Sequence, residues 1–188
     1  MEETLKQEDS HCIKIVLFGP ESTGKTILAK KLATYFNTLW VPEFSRMYAE
    51  QKAKLNDGLT KDDVLPIAEG QIALENKLTL QSDKLLICDT DLLETKVYGE
   101  AYYQGFTSDR LNKFAAENYY NLYFLTNIDL PWEPDGIRDK PHERETMFQM
   151  FHNALEIHQK PYIVLSGNLT NRFEIAVKHI NELLKTSV

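Results

Sequence analysis

The eight residues 19–26, GPESTGKT, restrict what this chain can fold into more than any other stretch. They match G-x-x-x-x-G-K-[ST] in full. An apolar run, residues 13–18 (IKIVLF), precedes them. After them Ile27, Leu28, Leu32, Tyr35 and Phe36 recur at helical spacing. A buried strand, a glycine turn and a helix in that order curl the backbone so that successive N–H groups point inward as an anion nest. The helix adds its N-terminus to the same spot. Gly19, Glu21, Ser22, Thr23 and Gly24 form the cradle. Lys25 reaches the β- and γ-phosphates, and Thr26 offers a hydroxyl to magnesium. A chance glycine turn does not explain why strand, motif and helix coincide. The stretch defines a nucleoside triphosphate site.

The strand-then-helix rhythm continues along the chain. Strands are predicted over residues 39–41, 84–88, 122–125 and 162–165, and helices over 44–52, 61–81, 92–99, 108–118, 144–158 and 171–184. Thr60 caps the helix at 61–81, and Pro66 near its start sets a later start or a kink. Such alternation implies an α/β chain: a three-layer P-loop NTPase fold, with a parallel five-stranded sheet and helices on both faces. The 188 residues fit one domain, taken as 11–188, with the polar residues 1–10 as a disordered tail.

Composition removes several function classes. A net charge of −7 and a pI of about 5.3 oppose binding along a nucleic-acid backbone. The chain shows no apolar leader and no run of 18 apolar residues, so no membrane partner is expected and the expected location is cytoplasmic. Cys12 and Cys88 lie in apolar runs and read as buried, reduced thiols. Oligomeric state leaves no mark in the sequence.

Ligands of parallel α/β sheets bind beyond the carboxyl ends of the strands. Three segments there carry chemistry. LLICDTD ends the third strand, so Asp89 stands where a carboxylate would serve magnesium. Asp91, two residues on, can face the same cleft and can also cap the helix that starts at Leu92, and the two roles are compatible. PWEPDGIRDKPHER carries Arg138, Lys140, His142 and Arg144 in a Pro/Gly-containing segment that reads as a lid over the transferring phosphate. A solvated basic loop is the plainer reading, and Arg144 also fits the first turn of the next helix. The third segment is WVPEFSR. Pro42 turns the second strand out of the sheet, and Glu43 and Arg46 follow beside the phosphate loop. They are either an acceptor-binding pair or a local ion pair three residues apart on a helix.

The guanine-binding pattern N-K-x-D is missing: Asn127-Ile128-Asp129-Leu130 fails at the lysine and at the last position. An AAA-type motor usually needs a longer chain with a C-terminal helical subdomain. A small-molecule kinase fits the size and the lid. It needs a carboxylate next to the γ-phosphate to orient or deprotonate an acceptor hydroxyl, and Glu43 is placed for that. A nucleotide-dependent regulatory ATPase is the alternative from another class.

FGPESTGKT, VPEFSRMY, CDTD, PWEPDGIR and NRF occur in this order in the chain. In order and spacing they resemble the ribosylnicotinamide kinase domain of NadR-type proteins, over roughly residues 13–184. The resemblance implies a P-loop kinase that uses ATP and Mg2+ to phosphorylate nicotinamide riboside at its 5′-hydroxyl. It implies that residues 19–26 hold the ATP phosphates and that Asp89 or Asp91 serves magnesium and the acceptor ribose. It makes Arg138 and Arg144 lid arginines and places Asn168 and Arg172 near adenine. NadR-type proteins often carry further domains ahead of the kinase. Here about ten residues precede the first strand, so the expectation is the kinase alone. Some members have an aromatic immediately before the glutamate, where this chain has Pro42. A pyridinium ring still seeks aromatic faces. Trp40, Phe44, Tyr48, Tyr98, Tyr102, Tyr103 and Trp132 are the candidates, with Tyr48 and Trp132 taken as the acceptor contacts. Another nucleoside or small alcohol is the alternative acceptor.

Overall fold

In the central strands nearly every side chain is apolar, and such strands must be covered on both faces. The computed structural model, which describes residues 2–132 and 143–186, shows how this is done. Five strands, β1 (Ile13–Phe18), β2 (Leu39–Val41), β3 (Leu85–Asp89), β4 (Leu122–Thr126) and β5 (Tyr162–Leu165), form one parallel sheet. Their order is β2-β3-β1-β4-β5. Every residue of β1, β3 and β4 is buried. Side chains alternate between the faces. Ile13, Ile15 and Leu17 pack with Leu28, Leu32, Ala176 and Ile180, which belong to α1 (Lys25–Phe36) and α7 (Leu169–Thr186). Val16 and Phe18 pack on the opposite face, in a core that includes Val64, Ala68, Val97, Phe114 and Phe151. That face is covered by α3 (Val64–Thr79), α4 (Leu92–Tyr102), α5 (Asp109–Glu117) and α6 (Arg144–Ile157). The three-layer expectation holds.

Register places the site. Leu17 pairs with Asp89 and Phe18 with Leu125, so the carboxyl ends of β3, β1 and β4 lie side by side. The segments that leave them, including the phosphate loop, share one edge of the sheet. The helix α2 (Phe44–Lys54) enters that edge from β2.

Two expectations change. Residues 1–10 are not a free tail. Glu2–Leu5 is a short 3-10 helix, and Leu5 is fully buried in the core of the α3 face. Gln7 Nε2 donates to Glu75 Oε1 at 2.7 Å, and Asn76 Nδ2 donates to the Lys6 carbonyl at 2.9 Å. One leucine in a polar stretch carries no periodicity, so the pattern concealed its anchor. The helix expected at 61–81 opens as a 3-10 turn, Lys61–Asp63, closed by a Thr60–Asp63 capping box. α3 begins only at Val64. Pro66 is then its third residue, where a missing N–H costs no helical bond.

Arg138, Lys140 and His142 of the expected lid fall outside the described residues. Among the described residues no helix is long and apolar enough to cross a membrane. Cys12 and Cys88 are buried free thiols.

Candidate active site

The phosphate loop owes its shape to its glycines. Gly19 sits at φ +133°, and a Cβ there would stand 2.8 Å from Thr126 Oγ1 and 3.1 Å from the Thr126 carbonyl. No other residue fits against β4 that closely. Gly24 is left-handed at φ +83° and ends the loop without a side-chain cap on α1. The first N–H groups of α1 therefore stay available to an anion. Thr23 Oγ1 donates to the Pro20 carbonyl at 2.7 Å and lies 2.7 Å from Thr126 Oγ1.

Arg172 holds the loop from below. Its guanidinium donates to the carbonyls of Thr23 (2.7 Å), Gly167 (2.8 Å) and Asn127 (3.0 Å) and pairs with Asp129. At 1 % exposure it is a buried clamp joining the loop to the ends of β4 and β5. Its guanidinium thus acts on the phosphate loop through backbone carbonyls. Asn168 is exposed, and its Oδ1 accepts the Asn171 N–H at 3.0 Å at the start of α7.

Lys25 lies along the loop, donating to the carbonyls of Gly19 (2.6 Å) and Pro20 (3.0 Å). Its Nζ is 3.2 Å from Glu94 Oε1. Burial alone would lower its pKa, but the carboxylates of Glu94, Glu43 and Asp89 outweigh it and the pKa is raised. Thr26 Oγ1 donates to Asp89 Oδ2 at 2.6 Å. Asp89 is fully buried, and its Oδ1 has no hydrogen-bond partner among the described residues. Burial, with Glu43 nearby, pushes its carboxyl up to about 6. A buried, unpartnered oxygen beside a threonine hydroxyl is what a divalent cation can satisfy. Thr26 and Asp89 thus fit magnesium. No group of three or more His, Cys, Asp or Glu side chains gathers as a cage among the described residues. A cation there would draw its other oxygens from a nucleotide.

The loop opens directly into a cleft of about 220 Å³ between α2, α3 and α4. Glu43 and Arg46 line it together with Gln71, Glu94 and Tyr98. Glu43 is the residue before α2, and its Oε1 accepts the Ser45 hydroxyl at 2.7 Å. Gln71 grips the backbone on both sides of it: Oε1 accepts the Phe44 N–H at 2.8 Å and Nε2 reaches the Pro42 carbonyl at 3.4 Å. Tyr98, Gly99, Tyr102 and Tyr103 form the far wall.

Several expected residues lie elsewhere. Asp91 lies outside the cleft lining, and both of its carboxylate oxygens are taken by protein donors. Thr90 turns left-handed at φ +86°, which breaks the alternation between Asp89 and Asp91. Asp91 Oδ1 accepts the Glu94 N–H at 2.9 Å as the cap of α4, and Oδ2 accepts the Tyr123 hydroxyl at 2.7 Å. Capping is therefore its observed role. Tyr48 turns to Asp63, donating to Oδ1 at 3.0 Å, and Trp132 is absent from the cleft lining. Arg144 is the first residue of α6, and its Nη1 donates to the Leu130 carbonyl at 2.9 Å.

Glu94 and Gln71 escaped the sequence reading. Asp91-x-x-Glu94 has the look of a capping box, which explains Glu94 as a local helix feature. In the fold its Oε2 instead accepts the Gly19 N–H at 3.3 Å, and burial pushes the carboxyl up to about 8. Gln71 looks like an ordinary helix residue, yet it is 1 % exposed.

A parallel sheet in this order, with the phosphate loop after β1 and Asp89 beside it, is the architecture of a P-loop domain of the kinase-like type. The chain belongs to the AAA domain family AAA_28, whose model matches residues 14–172. The trifunctional NAD biosynthesis/regulator protein NadR of Escherichia coli (strain K12) is 28% identical over 125 residues, 66% of this chain and 30% of that protein. The crystal structure of NadR protein in complex with NR matches with a TM-score of 0.75 at 21% identity, covering 92% of this chain and 51% of that one. Thymidylate kinase from Ehrlichia chaffeensis matches with a TM-score of 0.61 at 18% identity, over 90% of this chain and 98% of that one. The NadR-type resemblance read from the motifs is thus shared by sequence and fold. This chain spans 30% of the length of the curated NadR relative.

Proposed function

We propose that this protein is a kinase that transfers the γ-phosphate of ATP to the 5′-hydroxyl of nicotinamide riboside, giving nicotinamide mononucleotide. The observation that carries the reading is the continuity of the site: the phosphate loop and Glu43 line the same cleft. The NadR relatives, one named for NAD biosynthesis and one solved in complex with NR, supply the acceptor.

In this reading the loop amides and Lys25 bind and orient the triphosphate. Thr26 and Asp89 would hold magnesium, which would neutralise phosphate charge. Glu43 accepts the hydroxyl proton while that oxygen bonds to the γ-phosphorus. The bond from that phosphorus to the bridging oxygen breaks, and ADP leaves. Arg46 faces the acceptor from the next turn of α2, and the tyrosines of α4 offer faces to a cationic ring. Asn168, exposed at the start of α7, is the proposed adenine-side contact.

The test is ATP turnover with and without nicotinamide riboside, with the product identified by mass. Unchanged turnover in the presence of the riboside removes this acceptor. The second reading is a kinase for another nucleoside. It is favoured by the same tyrosine wall, which suits any flat base, and a substrate panel read by ADP release separates the two.

A further inference from the structure

The strongest unassigned feature is the Glu94 carboxyl, which sits between the phosphate loop and the acceptor cleft. It is 1 % exposed. Lys25 has three N–H groups to give. Two are committed to the carbonyls of Gly19 and Pro20, and Glu94 is the remaining partner at 3.2 Å. That last contact is an ion pair without hydrogen-bond alignment, since Glu94 Oε1 has no hydrogen-bond partner among the described residues. A phosphate that engages Lys25 must displace one of the three. Displacing a buried carbonyl strands it without a donor. A carboxylate has another outcome, because a proton can neutralise it.

We propose that Glu94 is the placeholder for the nucleotide's terminal phosphate on Lys25, and that it takes up a proton when a triphosphate replaces it. The inference rests on the kinase reading only in requiring that the loop bind a triphosphate. Two anions cannot share one buried ammonium without cost. The groups facing Glu94 sharpen this. Lys25 comes from α1, Glu43 from the start of α2, Asp89 from the end of β3 and Asp91 from its own helix cap, so one cation meets three further carboxyls. Tyr98 lies one turn along α4 and stays protonated, its pKa raised by burial. Burial already pushes Glu94 up to about 8, so loss of Lys25 to a phosphate raises it further. Asp89 and Asp91, each at about 6, are ionised above pH 7 and leave that window to Glu94.

The experiment is titration calorimetry of the full chain with the magnesium complex of a non-hydrolysable ATP analogue. Buffers of different ionisation enthalpy, from pH 7 to 9, report the protons exchanged. Uptake should rise from about a tenth of a proton at pH 7 to about nine tenths at pH 9, with affinity weakening about tenfold over the same range. Glu94→Gln should abolish the rise and flatten the affinity, and it subtracts every other titration, including the nucleotide's. Should that variant fail to fold, the wild-type series decides alone. Binding with no pH-dependent uptake, or the same uptake in Glu94→Gln, overturns the placeholder and leaves the kinase reading intact. No binding of the analogue at any pH overturns both.

Discussion

The carboxamide of Gln71 accepts the backbone N–H of Phe44 at 2.8 Å, from a helix 27 residues further along the chain. It reaches the Pro42 carbonyl as well, so the backbone around Glu43 is held from both sides by one side chain. A carboxylate expected to meet a hydroxyl within a few tenths of an ångström needs such support. Gln71→Leu should lower kcat about 10- to 100-fold while the affinity for an ATP analogue stays within about twofold. Steady-state kinetics beside calorimetry checks this. Equal losses in both would make Gln71 a general stabiliser of the fold.

Glu43 itself gives the sharpest chemical test. Glu43→Gln keeps the size and the contact with Ser45 but cannot take a proton. Transfer should fall by about 10²–10⁴-fold with analogue binding retained. Near-normal turnover would transfer the role of base to another carboxyl of the cleft.

Arg172 lies outside the cleft lining, yet its guanidinium ties Thr23 of the phosphate loop to Gly167 and Asn127. Arg172→Met keeps the bulk and strands three carbonyls. A loss of about 3 kcal/mol in urea-induced unfolding is expected, with weaker nucleotide binding as the loop loosens. Unchanged stability would show that water replaces the clamp.

Asp63 tests the pH dependence of the fold. It accepts from Tyr48 (3.0 Å), Lys52 (2.7 Å) and the Thr60 N–H (2.7 Å) at the joint between α2 and α3. Burial would raise its pKa, but these partners outweigh it and hold the carboxyl down to about 2. A carboxyl depressed in the folded state contributes stability above its unfolded pKa of about 4 and loses it as pH falls toward 2. Asp63→Asn should therefore cost about 1 kcal/mol at pH 7, and the gap to wild type should close between pH 4 and 2. Denaturant unfolding across that range measures it. A constant gap would assign the effect to the altered cap geometry alone.

Much of the architecture was legible because burial writes itself into composition. IKIVLF, KLLIC and NLYFLT are runs that only a doubly covered sheet can hide, and the intervening helices carry their own periodicity. Leu5 was not legible, since one buried residue in a polar segment has no pattern to join. Asp91 carried two readings because a carboxylate after a strand serves a cleft or a helix cap equally well in sequence. The left-handed turn at Thr90 decided between them.

The phosphate loop, the parallel α/β fold, Asp89 at the strand end and Glu43 after β2 are all readable from the order of residues. These are local motifs or periodic patterns, and their physics acts between near neighbours in the chain. That Arg172 clamps the loop, that Gln71 holds the backbone around Glu43, and that Glu94 stands 3.2 Å from Lys25 emerges only once the helices are packed on the sheet. Each of those contacts joins elements 27 to 149 residues apart. The direction in which a long polar side chain points across such a gap is set by the packing of whole helices on the sheet, and no local pattern records it.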